Sequence, residues 1–190
     1  MGVARKAKPV NLFAGLLGSD EDLLRRARHL MTQHYGMTDI ESEVWPFTST
    51  DYYELEMGPG LKRWFVSFDR LVMPDQLASI KNDTIGLERE MADACLTPGL
   101  ARPVNIDPGY IDLGKLVLAT TKDRAHRIYL GHGIYGEITL QFVREQWTPL
   151  EWTYPDYRLP EYHAFFSRAR DVLHEQRQTQ FERAASEDMS

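Results

Sequence analysis

The chain has 190 residues, 28 acidic and 22 basic, for a formal charge of −6. That argues against a generic nucleic-acid binder, whose affinity comes mainly from neutralised phosphates. One cysteine, Cys95, excludes an internal disulfide framework and any multi-cysteine metal site.

The first residues, Met1 to Lys8, form a basic, solvated arm. Val10 to Leu17 reads as a buried first strand. This apolar run is too short for a secretory signal, and no stretch approaches the ~20 apolar residues that span a membrane. A cytoplasmic protein is expected, its lone thiol fitting a reducing compartment. Ser19 is the expected N-cap of a first helix, with Asp20, Glu21 and Asp22 in its first turn. Leu23, Ala27, Leu30, Met31 and Tyr35 follow at helical spacing, and Gly36 stops it. Ile40–Phe47 reads as one strand, and Leu61–Phe68 as another with Trp64, Val66 and Phe68 on one face. Pro74 opens a second helix whose apolar face is Leu77, Ile80, Thr84, Leu87 and Met91. Thr97-Pro98-Gly99 marks a turn.

Two short runs, Arg102–Ile106 and Lys115–Thr121, come next; Val117 and two threonines favour a strand for the second. His126–Leu130 and Ile134–Val143 flank Gly131-His132-Gly133, a hairpin signal. Residues 147–160 hold three prolines among Trp147, Trp152, Tyr154 and Tyr157, and are expected to form an ordered aromatic loop. A last helix starts near Glu161 on the stripe Tyr162, Phe165, Phe166, Ala169, Val172 and Leu173, and the polar tail (180–190) is expected to fray. The order implies a single α+β domain over 1–190. An antiparallel or mixed sheet with helices on one face and a ferredoxin-like β-α-β-β-α-β core would carry a C-terminal hairpin and helix.

Chemical signatures are mostly absent. There is no P-loop, no dinucleotide glycine motif and no nucleophile elbow. The two-histidine phosphoesterase pattern fails because Arg127-Ile128 follows His126 and Gly133-Ile134 follows His132. Thr121-Lys122-Asp123 lacks the spacer of the guanine-reading motif. Charge is unevenly spread. Asp39, Glu41, Glu43, Asp51, Glu54 and Glu56 crowd one stretch with no base. Residues 102–137 hold five bases, four acids and two histidines.

Longer strings carry a family likeness. Arg102-Pro103-Val104-Asn105-Ile106-Asp107-Pro108-Gly109-Tyr110, Lys115–Asp123, His126–Leu130 and Trp152-Thr153-Tyr154-Pro155-Asp156-Tyr157 closely resemble domain-of-unknown-function family 4416. Leu12-Phe13-Ala14-Gly15, Asp51-Tyr52-Tyr53 and Leu61-Lys62-Arg63 extend the resemblance over roughly residues 8–170. It implies a small bacterial or archaeal protein of unestablished function. Some members carry a GTP-binding label, which the missing P-loop does not support.

The candidate site follows from residue chemistry. Asp107 is expected on a rigid Asp-Pro-Gly turn, as a base or hydroxyl acceptor, with capping of its own backbone as the bland alternative. His126 is the proton-transfer candidate and Glu137 the third catalytic candidate, the bland reading of Glu137 being a cross-strand pair with Arg127. Lys115, Lys122 and Arg127 are expected to bind an anion, with Asn105, Tyr135, Asp51 and Tyr52 lining the pocket. Asp107, His126 and Glu137 form only a weak metal set, so no metal is assigned, and the sequence leaves any cofactor unknown. The favoured reading is a protein that binds, and acts on, a small anionic ligand such as a nucleotide or phosphorylated metabolite. The alternative is a non-catalytic interaction module using the 147–157 aromatic loop or the acidic stretch. Neither activity nor oligomeric state is determined by sequence.

Overall fold

Strand β1 (Asn11–Gly18) is buried at every position. Its apolar side chains run without alternation, so both of its faces need cover. The computed structural model describes residues 2–50, 53–95 and 100–187, the side chains of Leu55 and of 180–187 excepted. After β1 come α1 (Glu21–Tyr35), β2 (Thr38–Glu41), β3 (Trp45–Pro46), the single turn α2 (Glu54–Met57), β4 (Lys62–Phe68) and α3 (Leu77–Asp93). Then follow β5 (Asn105–Asp112), β6 (Lys115–Thr120), β7 (Ile128–Gly131), β8 (Ile134–Val143), β9 (Gln146–Pro149) and α4 (Pro160–Glu187).

The nine strands form one antiparallel sheet in the order β2-β4-β1-β5-β6-β8-β7, with β3 also on β4 and β9 on β8. The fold is therefore α+β. The expected β-α-β-β-α-β succession runs through β1, α1, β2, β4, α3 and β5, and β4 returns between β1 and β2. Beyond β5 the sheet grows by hairpins.

Helices cover both faces, which corrects the one-face expectation. On one face α1 and α3 bury Leu24, Ala27, Met31, Ile80, Leu87 and Met91 against Leu12, Ala14, Leu16, Trp64, Val66 and Phe68. On the other, α4 packs Tyr162, Phe165, Phe166 and Ala169 on Phe13, Phe65, Ile111, Leu116 and Leu118. Successive apolar residues in β1 and β4 leave no face that water could cover cheaply.

Local chemistry accounts for three smaller differences. Asp20, not Ser19, caps α1: its carboxylate accepts from the Asp22 amide at 2.7 Å, while Ser19 Oγ donates to the Met57 carbonyl at 2.9 Å. The expected strand 40–47 divides into β2 and β3, both paired with β4. Asp107-Pro108-Gly109 is not a turn but lies inside β5. Pro108 stands outside the β5–β6 ladder, which begins at Gly109↔Leu118, so its missing N–H removes no bond from that ladder. The Pro-Gly turn at 97–99 lies outside the described residues.

Candidate functional site

Residues 105–108 of β5 pair with β1 but not with β6. The side chains around this unpaired end gather charge. Asp107 Oδ2 accepts from Asn105 Nδ2 at 2.6 Å, and Lys81 Nζ and Arg63 Nη1 each lie 3.5 Å from its carboxylate. Lys81, buried on α3, also donates to the Ile106 carbonyl at 2.8 Å. Arg102 donates to Glu88 Oε2 at 3.0 Å and to Asn105 Oδ1. Glu88 in turn accepts from the Ile106 amide at 2.8 Å. Burial raises the Asp107 pKa, but Lys81, Arg63 and Asn105 outweigh it and hold the carboxyl below its ordinary value. The Asp107 side chain remains 32% exposed, so a carboxylate braced by two cations touches solvent.

Arg63 is the deepest of these groups, 4% exposed on β4. Its guanidinium crosses the sheet over Gly15, where a Cβ would stand 3.0 Å from Nη1 and 2.9 Å from Phe65 Cε1. Only the absence of a side chain at Gly15 leaves this path open. Asp156 Oδ2 lies 3.5 Å from Arg63 Nη2. Burial raises the Asp156 pKa, opposed by Arg63. Arg63 Nε and Nη1 and the Tyr157 hydroxyl are buried without hydrogen-bond partners.

A second group sits on β8 and the approach to β7. Glu137, 2% exposed, accepts from Arg127 Nε at 2.7 Å and from Thr139 Oγ1 at 3.3 Å. His126 Nε2 lies 3.3 Å from Glu137 Oε2, and its ring stacks on Trp152 at 5.1 Å and 11°. Arg127 also donates from Nη1 to the Lys122 carbonyl at 2.9 Å and from Nη2 to Tyr154 Oη at 2.7 Å.

The segment 150–158 joins the two groups. Trp152 Nε1 donates to the Ile138 carbonyl at 2.9 Å, Thr153 Oγ1 to the Thr139 carbonyl at 2.5 Å, and Arg158 to the carbonyls of Thr153, Leu150 and Glu151. Burial raises the Tyr154 pKa, and its hydroxyl is within electrostatic reach of both Glu137 and Asp107.

Of the expected site residues, the structure gathers Asn105 and Asp107 in one group and His126, Arg127 and Glu137 in the other, beside Tyr135. Tyr135 is two residues from Glu137 on β8, and its ring meets Tyr129 at 5.2 Å, tilted by 59°. Arg127 forms the cross-strand pair with Glu137, and its guanidinium is fully committed within the protein. Lys122 contributes its carbonyl to Arg127. Lys115 lies elsewhere: it starts β6, pairs with Gln141 and approaches Asp112 at 3.8 Å, roughly 16 Å along the strand from the site end. Asp51 and Tyr52 lie outside the described residues. Among the described residues, no three His, Cys, Asp or Glu side chains come together as a metal set.

Sequence reasoning passed over Arg63, Lys81, Glu88 and Asp156 as site residues. Lys81 and Glu88 carried a signal: both fall within the α3 stripe of Leu77, Ile80, Thr84, Leu87 and Met91, where a charge needs a buried partner. A surface cleft of about 400 Å³ is lined by Val44, Phe47, Glu54, Leu61 and the Glu21–Lys62 pair, whose charges meet at 2.7 Å, and the Arg63 guanidinium lies 5.1 Å over the Phe47 ring.

A family model described as "Domain of unknown function (DUF4416)" matches residues 8–172. No curated protein and no solved structure matches the chain. Among the described residues, no helix is long and apolar enough to cross a membrane.

Proposed function

The chain belongs to the DUF4416 family, whose description assigns no activity, and from that premise we propose that it binds a small anionic ligand at the end of β5. The observation that carries this reading is Arg63. A guanidinium buried to 4% exposure with Nε and Nη1 unbonded is costly, and such groups call for a partner. Lys81 and Arg102 stand beside it around the solvent-touched Asp107. A phosphate or carboxylate group of a metabolite supplies an acceptor that Arg63 lacks, and Asp107 accepts from ligand hydroxyls. Chemistry on that ligand would draw on His126. Glu137 lies 3.3 Å from its Nε2 and Trp152 covers one face of the ring.

The alternative, a partner-binding module built on the aromatic loop, has weaker support. The polar atoms of Trp152 and Tyr154 are bonded to Ile138 and Arg127, and Tyr157 is buried in the α4 core. The loop is thus built into the site rather than offered to a partner.

The test is calorimetric titration of the full chain with inorganic phosphate, nucleotides and phosphorylated sugars. Saturable binding that is lost in Arg63→Met and weakened in Arg102→Ala supports the reading. Thermal unfolding unmoved by any of these anions refutes it, since a ligand at 100 times its Kd adds about 2.7 kcal/mol.

A further inference from the structure

Arg63 already has an internal anion, and it is a poor one. Asp156 is 5% exposed and sits on the 3₁₀ turn Asp156–Arg158 at the end of segment 150–158. Its carboxylate meets Arg63 through one oxygen at 3.5 Å. That is well beyond the ~2.8 Å of a charge-assisted hydrogen bond. Arg63 Nε and Nη1 stay unbonded, and the Tyr157 hydroxyl, next in sequence to Asp156 and also buried, has no partner either. The other carboxylate near Arg63, Asp107, is shared with Lys81 and Asn105 and keeps those partners whatever Arg63 does.

We propose that Asp156 is an affinity-limiting residue that occupies Arg63 in place of the ligand, and that an arriving anion displaces it and loosens segment 150–158 from the sheet. This rests on the anion-site reading of the preceding subsection. The exchange is a substitution of one acceptor for another. The ligand's oxygens take Arg63 Nη2 from Asp156 together with the unbonded Nε on the same edge of the guanidinium, and Asp156 turns to solvent with the residues before it, while Tyr157 stays in the α4 core. Tyr154 sits on the same segment and holds Arg127, so the release reaches the His126–Glu137 group as well.

The decisive comparison is wild type against Asp156→Asn, which keeps the shape and removes the competing charge. Both full chains are titrated with inorganic phosphate. The expected result is phosphate binding about tenfold tighter in the variant, equal to about 1.4 kcal/mol. Equal or weaker binding by a folded Asp156→Asn protein, with wild type binding normally, overturns the displacement and leaves the anion site standing. No binding by either protein overturns both. Amide hydrogen exchange on wild type alone serves if the variant does not fold. Phosphate speeds exchange across residues 153–159 if Asp156 is displaced. Slower or unchanged exchange there, with phosphate bound, means the anion simply adds to the existing site and the proposal is wrong.

Discussion

At the scale of single residues, the site depends on a few side chains placed where their chemistry is costly. Asp107 is the clearest. Its pKa lies below the ordinary carboxylate value because Lys81, Arg63 and Asn105 outweigh the effect of burial. A depressed folded value means its contribution to stability is present above the unfolded pKa and disappears as pH falls through the folded one. Asp107→Asn is therefore expected to lower stability by about 1–3 kcal/mol at pH 7. The gap from wild type should narrow below about pH 4. Urea unfolding of both proteins at pH 7, 4 and 3 reads this; a gap independent of pH would mean that charge is not the cause. Asp156 has the opposite sign. Its raised pKa gives stability that is present below the unfolded value and lost as pH rises through the folded one. Asp156→Asn should therefore cost less than Asp107→Asn at neutral pH. Gly15→Ala places a methyl against Phe65 and the Arg63 guanidinium. It should lower the urea midpoint by the equivalent of about 1–3 kcal/mol and weaken phosphate binding, because Arg63 must move.

At the scale of elements, the hairpin and the segment 150–158 behave as separate devices. Gly131 pairs with Ile134, leaving His132 and Gly133 as a two-residue loop with φ of 54° and 77°. Two positive φ values are the signature of the type I′ turn that suits strand twist, and asparagine tolerates the first position better than histidine. His132→Asn should raise the melting temperature slightly and leave anion binding unchanged, which would show that this histidine serves the turn rather than the site. In segment 150–158, one arginine gathers three backbone carbonyls. Arg158→Leu leaves those acceptors unpaired, so hydrogen exchange across the segment should accelerate and stability fall by about 1–3 kcal/mol. Faster exchange confined to residues outside 150–158 would contradict that assignment. The hairpin and its turn were legible in the sequence because glycine spacing marks them. The segment was legible only as aromatic and proline-rich, since what it ties down lies on β8 and on Arg127, distant in sequence.

At the scale of the molecule, one sheet serves two layers of helices. Phe13 and Leu12, adjacent in β1, point into opposite clusters, so damage to either layer reaches the same strands. We expect Leu24→Ala, under α1, to cost about 2–5 kcal/mol, and Phe166→Ala, under α4, about 3–5 kcal/mol. Calorimetry should record one transition lowered as a unit in both variants, in keeping with a single domain. Two separable transitions would divide the chain instead. The α4 layer also places the site: its helix begins at Pro160, directly after the segment that carries Trp152, Tyr154 and Asp156. The proposed anion site thus lies beside the start of α4.

The sequence by itself determined the three long helices, most of the strands, the apolar stripes, the membership of the family and five of the residues in the two charged groups. Those properties follow from spacing along the chain and from side-chain type, which are local. The second helical layer, the strand at Asp107-Pro108-Gly109 and the separation of Lys115 from the site were decided only in three dimensions. So was the central place of Arg63. Its role comes from a strand that returns between β1 and β2, a glycine across the sheet, and carboxylates from β5 and the approach to α4. None of these is near it in sequence, and a buried charge reveals its purpose only through the partners that folding brings to it.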